Sequence, residues 1–172
     1  MRIRNLPAQA GYTLIELLLY VAIVGVLLSA VTAFFGSTVD ARVKNQTINE
    51  VNTQGIFALD YLTQTIRNAT SITTPIAGAS DVQLTLVVHT ASLSPTVFSL
   101  SSGQLQVKEG ANAAVALTGS PVQVTALSVK NLTRSGTTGV VQVTLTVSRT
   151  NPNNRNEYDY QRTFTASAAL RP

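Results

Sequence analysis

Residues 11–17 read Gly11-Tyr12-Thr13-Leu14-Ile15-Glu16-Leu17, and LLYVAIVGVLLSAVTAFF follows without a break to Phe35. From Leu17 to Phe35 no residue is charged. Nineteen residues at a rise of about 1.5 Å span about 28 Å as a helix, close to the ~30 Å hydrocarbon core of a bilayer. The stretch therefore predicts a membrane-spanning helix. Before it lies MRIRNLPAQAG, residues 1–11, short and basic through Arg2 and Arg4, with Pro7 opposing a helix. A basic flank tends to stay in the cytoplasm, so the rest of the chain is expected to be exported.

Glu16 is out of place. A carboxylate at the edge of lipid is costly unless paired, and marks a functional site by default. No Lys or Arg lies near it on the same helix, so a cation from another molecule is the natural partner. Two plainer readings compete. One is a signal anchor with an incidental Glu16. The other is a secretory signal peptide with Leu17–Leu28 as its apolar region and cleavage near Val31-Thr32-Ala33. An acidic residue directly before the apolar region is unusual for the second.

The run Gly11 to Glu16, after a basic leader and before an apolar stretch, resembles the prepilin motif of type IV pilins and of secretion and competence pseudopilins. The resemblance implies cleavage by a prepilin peptidase after Gly11 and a new N-terminus at Tyr12, usually N-methylated. It makes Glu16 the fifth mature residue. Glu16 of one subunit would then meet the Tyr12 amine of a neighbour in a filament. Each charge is expensive alone in an apolar bundle and less so when paired, so the pair would select one register of stacking. Tyr12 departs from the commoner Phe. Ala33 stands where many major pilins carry a kinking Pro, leaving Gly25 and Gly36 as weak points of the helix.

After Gly36 the pattern becomes amphipathic. Ile48, Val51, Gly55, Leu59, Leu62 and Ile66 recur every three or four residues, one face of a helix expected to run to about Ala69. Thr70 to Pro75 should end it. A mature helix from Tyr12 to Ala69 would be on the order of 85 Å long. Heptads with flanking charges are too sparse for a free coiled coil, so the apolar face needs a domain to cover it.

Past residue 75 the period is two. Strands are expected at Asp81–Val88, Thr96–Leu100, Gln104–Glu109, Val122–Leu132, Val140–Arg149 and about Glu157–Leu170, with Ser101-Ser102-Gly103 as a hairpin and Asn151 to Asn154 as a turn. Strands without intervening helices imply an antiparallel sheet, whose apolar face can cover Ile48–Ile66. The expected class is α+β, resembling pilins and, in layout, minor pilins or minor pseudopilins of the J type. The expected organisation is a leader at 1–11, a membrane or filament-core helix at 12–36, its amphipathic continuation at 37–69, and a sheet head at 70–172.

Composition narrows the chemistry. The 172 residues include no cysteine, which removes disulfides, thiolate metal sites and cysteine nucleophiles, along with the C-terminal loop closure of many major pilins. Only 12% are charged, and the ten Lys/Arg and seven Asp/Glu beyond Gly36 are dispersed, unlike the dense basic stripe of a nucleic-acid binder. His89 is the single histidine and supplies neither a zinc ligand set nor a triad. No Gly-rich phosphate loop appears. Asn153, Asn154, Glu157 and Asp159 could make an oxygen-rich calcium loop, against the plainer reading of a solvated turn. Arg149, Arg155 and Arg162 could gather into a polyanion patch, against ordinary surface charge. No catalytic residue, cofactor or metal is expected.

The expectation is thus a non-enzymatic filament subunit, a minor pilin or pseudopilin that primes assembly or sits near the tip. The alternatives are a DNA-uptake or adhesion module of such a filament, or a pseudopilin of a type II secretion system. Expected partners are prepilin peptidase, other pilins through their N-terminal helices, membrane lipid before assembly and an inner-membrane assembly platform, with nucleic acid weakly supported. The expected location is the inner membrane, crossed once with a cytoplasmic leader and an exported head, then a surface pilus or pseudopilus.

Overall fold

The computed structural model describes residues 11–171. The expected leader, with Arg2, Arg4 and Pro7, lies outside the described residues except for Gly11. The chain divides into two compact units, Met1–Arg42 and Val43–Pro172.

A single helix, α1, runs from Leu14 to Arg67. It starts two residues after Tyr12 and ends two before Ala69, and it passes through Gly25 and Gly36 without interruption. In the first unit its large side chains are exposed, among them Leu17 (59%), Leu27 (59%) and Phe34 (69%). This part of α1 is long and apolar enough to cross a membrane, and none of it is buried within the chain.

In the second unit the helix has an inner face. Val51, Gly55, Leu62 and Ile66 are buried as the spacing predicts, with Thr47 and Ala58 added. Leu59 and Ile48 are only half-buried. Gly55 is on this face for a steric reason: a Cβ there would fall on the ring of Phe164. The small residues Gly55 and Ala58 let the helix approach the sheet closely, which a simple apolar count does not reveal.

Nine strands follow: β1 (Ala69–Thr74), β2 (Ser80–Asp81), β3 (Leu84–Val88), β4 (Thr96–Ser101), β5 (Gln104–Glu109), β6 (Val115–Ala116), β7 (Val122–Asn131), β8 (Val140–Arg149) and β9 (Gln161–Ala169). All pairings are antiparallel. The head contains two sheets where one was expected, in the orders β1-β3-β4-β5-β6 and β2-β7-β8-β9.

Three strand expectations are corrected, the first of them by that split. Asp81–Val88 is not one strand: Ser80–Asp81 pairs with β7 in one sheet, and Leu84–Val88 pairs with β1 and β4 in the other. Residues Ala69–Thr74, read as a helix end, form β1, in keeping with their β-branched side chains. The last strand starts at Gln161, because Asn156–Tyr158 winds into a 3-10 turn. The 96–109 hairpin matches its prediction. Ser101 pairs with Gln104, and the two turn residues, Ser102 and Gly103, both have positive φ, the geometry that suits the strand twist.

β8 has the predicted alternation, with Val141, Val143, Leu145 and Val147 fully buried. β7 carries a register shift between Val124 and Ala126. The buried set therefore moves from Val122 and Val124 to Leu127, Val129 and Asn131. Buried Asn131 donates through Nδ2 to the Pro75 carbonyl (2.7 Å) and accepts from the Thr133 amide (3.0 Å). It thereby ties the connection between the sheets to β7. One core joins Val51, Ala58, Leu62 and Ile66 to Leu84, Leu86, Phe98 and Leu105 of one sheet and to Val129, Val143, Leu145 and Phe164 of the other.

Candidate functional site

The site expected at Gly11, Tyr12 and Glu16 lies where α1 begins. Gly11, Tyr12 and Thr13 precede the helix, and all three are exposed. Thr13 caps it: its carbonyl accepts from the Leu17 amide at 3.1 Å, and its hydroxyl oxygen accepts from the Glu16 amide at 3.3 Å. The first is the opening bond of the helix ladder, and the second satisfies one of the four amides that an α-helix leaves open at its start. The spacing Thr-x-x-Glu is that of a capping box. Glu16 also places a negative charge in the first turn, where the helix dipole favours it. Helical structure thus begins just after the Gly11–Tyr12 bond and leaves that bond in a non-helical, exposed segment.

The Glu16 carboxylate has a partner that the sequence reading missed. Tyr20, one turn on, donates its hydroxyl to Glu16 Oε1 at 3.2 Å. The rings of Tyr12 and Tyr20 meet edge to face, with centroids 6.3 Å apart and planes at 81°. Tyr12, Glu16 and Tyr20 are therefore one local cluster. The signal available in the sequence was the i,i+4 spacing of Glu16 and Tyr20, which places two helical side chains side by side.

Arg149, Arg155 and Arg162, the three arginines of the suggested patch, are drawn into contacts within the head. Arg149 is ion-paired with Glu50, and its guanidinium lies 5.3 Å from the centre of the Tyr158 ring. Arg155 covers the same ring at 5.4 Å and is paired with Glu157. Arg162 donates to Asn52 Oδ1 at 2.8 Å and lies over Phe164. These contacts bind the 150–160 loop and β9 to the helix.

The suggested calcium loop is organised by a lysine. Lys44 Nζ donates to the carbonyls of Asn156 (2.9 Å) and Asp159 (2.6 Å), so an ammonium sits against this loop. Among the described residues no group of three or more His, Asp or Glu side chains could hold a metal. His89 is exposed just past β3, beside a cleft of about 530 Å³ that Arg67, Glu109 and Arg171 also line. Tyr61 donates to Glu109 Oε1 at 3.3 Å. Burial first, and the Glu109 charge second, push its phenol above its usual range.

Residues 6–32 match the family described as "Prokaryotic N-terminal methylation motif". The chain carries a prepilin-type N-terminus. The match covers the cap, the Tyr12–Glu16–Tyr20 cluster and most of the exposed apolar stretch, and it ends before the head. Neither a curated protein nor a solved structure matches the chain. A prepilin-type N-terminus implies processing by a prepilin peptidase and assembly with other pilin-like subunits. Together with the exposed apolar helix it fits a membrane-anchored pilin or pseudopilin, a structural subunit. The antiparallel head packed on the later part of α1 completes an α+β, pilin-like layout.

Proposed function

We propose that this chain is a filament subunit stored in the inner membrane, cut by prepilin peptidase between Gly11 and Tyr12 and N-methylated at Tyr12. Its assembly then depends on Glu16 pairing with the Tyr12 amine of an adjoining subunit. Residues 12–36 would form the membrane and filament-core part, 37–69 the amphipathic continuation, and 70–172 the head. The retained Glu16 permits docking beneath other subunits. The chain therefore need not be confined to the tip, and the head layout is what favours a minor pilin or minor pseudopilin that primes assembly or lies near the tip.

One observation carries the reading. A single carboxylate stands at the capped start of a helix whose following residues, from Leu17 to Val39, hold no charge and are almost all exposed among those described. A lone acid there is a liability to a plain anchor and a register device to a stacked bundle. A DNA-binding role resting on Arg149, Arg155 and Arg162 has less support, since each is engaged within the head.

Glu16→Ala tests the reading. Membrane insertion and leader removal should persist. Removing one member of a buried ion pair costs about 3–5 kcal/mol, so incorporation into filaments should fall about a hundredfold or more at about 1.4 kcal/mol per decade. Filaments with wild-type content of the variant would refute the pairing.

A further inference from the structure

We infer that Tyr20 is the resident hydrogen-bond partner of Glu16 in the membrane-held subunit, keeping the carboxylate satisfied until an amine from another subunit takes it. The exchange step rests on the filament reading above; the Tyr20–Glu16 contact does not.

The hydroxyls of the apolar stretch make the case by contrast. Ser29 donates to the Val26 carbonyl at 2.8 Å, Thr32 to Leu28 at 2.8 Å and Thr38 to Phe34 at 2.9 Å. Each is absorbed by the backbone of its own helix, the usual solution for a short hydroxyl where water is absent. A phenol cannot fold back in this way, because its oxygen sits at the far end of a rigid ring. Among these described hydroxyls, Tyr20 is the one that donates to a carboxylate.

Both partners need this contact. In hydrocarbon a phenol O–H and a carboxylate each lose their water partners, and a hydrogen bond to an ionised acceptor is about twice as strong as a neutral one. The Tyr12 ring packs edge-on against Tyr20 and limits the directions the phenol can take. Tyr20 is also neutral, so it satisfies a lone pair of Glu16 without cancelling its charge. An arriving ammonium offers both a donor and a charge. It can therefore displace the phenol, as expected of a partner that stabilises one state more than the other.

The test uses the full chain, with glutamate carboxyl carbons labelled with carbon-13, in phosphatidylcholine vesicles. The Glu16 resonance is assigned by its disappearance in Glu16→Gln. Tyr20→Phe removes only the hydroxyl, and should shift the Glu16 carboxyl resonance while leaving Glu50, Glu109 and Glu157 in place. Tyr12→Phe, which keeps the Tyr20 hydroxyl, should leave the Glu16 resonance where it was. An unmoved Glu16 signal in Tyr20→Phe overturns the inference, and so does an equal shift in both variants. Normal filament assembly by Glu16→Ala would instead defeat the filament reading and leave the resonance result standing.

Discussion

Leu27 and Leu62 lie on the same helix and have opposite surroundings. Leu27 belongs to a run in which every large side chain is exposed, whereas Leu62 is fully enclosed by the sheets of the head. The first segment is apolar on all sides; the second is apolar on one face only. A helix that is apolar all round needs a surrounding apolar medium, while one with a single apolar face needs only a neighbour within its own chain. The head segment has found that neighbour. The exposed segment has none among the described residues and, on our reading, finds it first in lipid and then in other subunits.

The widest separation between the two segments should come from Gly11→Leu. A bulky residue at the cleavage position should block leader removal completely, leaving a longer membrane-bound chain on immunoblots. Its head should unfold at the wild-type denaturant midpoint, because the head draws nothing from Gly11. Efficient processing of this variant would count against the peptidase assignment.

Next in size is a matched pair of leucine truncations. Leu62→Ala opens a hole in the buried core of the head, and should destabilise the head by about 2–5 kcal/mol. Leu27→Ala removes the same atoms from an exposed position and should leave the head's midpoint unchanged. Denaturant unfolding of the detergent-solubilised chain, followed by tyrosine circular dichroism, reads both. Equal effects would erase the distinction between the segments.

The smallest effect concerns Tyr61 in the head. Its raised phenol means the folded state holds that proton more tightly than the unfolded chain does. The corresponding stability is fully present below the usual phenol range of about 10 and is lost as pH rises from there through the folded value. Tyr61→Phe should therefore lose less stability than wild type between neutral and strongly alkaline pH. Identical pH profiles would remove Glu109 and burial from the account of that site.

Much of this was legible because it follows from periodicity. The apolar run, the later helix face, the 96–109 hairpin, β7 and the alternation of β8 all repeat with the period of their element. What escaped the sequence depends on contacts between distant residues. Nothing local says that Asp81 and Leu84 belong to different sheets, or that Asn131 bonds Pro75, 56 residues before it, in the connection from β1 to β2. Thr47 and Ala58 were left off the buried face because neither is strongly apolar, and Gly55 matters through Phe164, more than a hundred residues on. Arg149 and Arg155 read as ordinary surface charge or a polyanion patch, and nothing local says that both lie over the ring of Tyr158. At the N-terminal site Glu16 stood out by its charge, whereas Tyr20 was hidden because a tyrosine in an apolar run reads as one more large side chain.

The central claim is that a prepilin-type cut leaves Glu16 on a retained helix beside a newly exposed amine. Intact-mass and N-terminal fragment analysis of the chain purified from its native membrane tests it most directly. The account predicts a polypeptide that begins at Tyr12, carries one added methyl group there, and keeps Glu16 and the whole apolar run. A mature chain that begins beyond Ala33, or one that still begins at Met1, would contradict it.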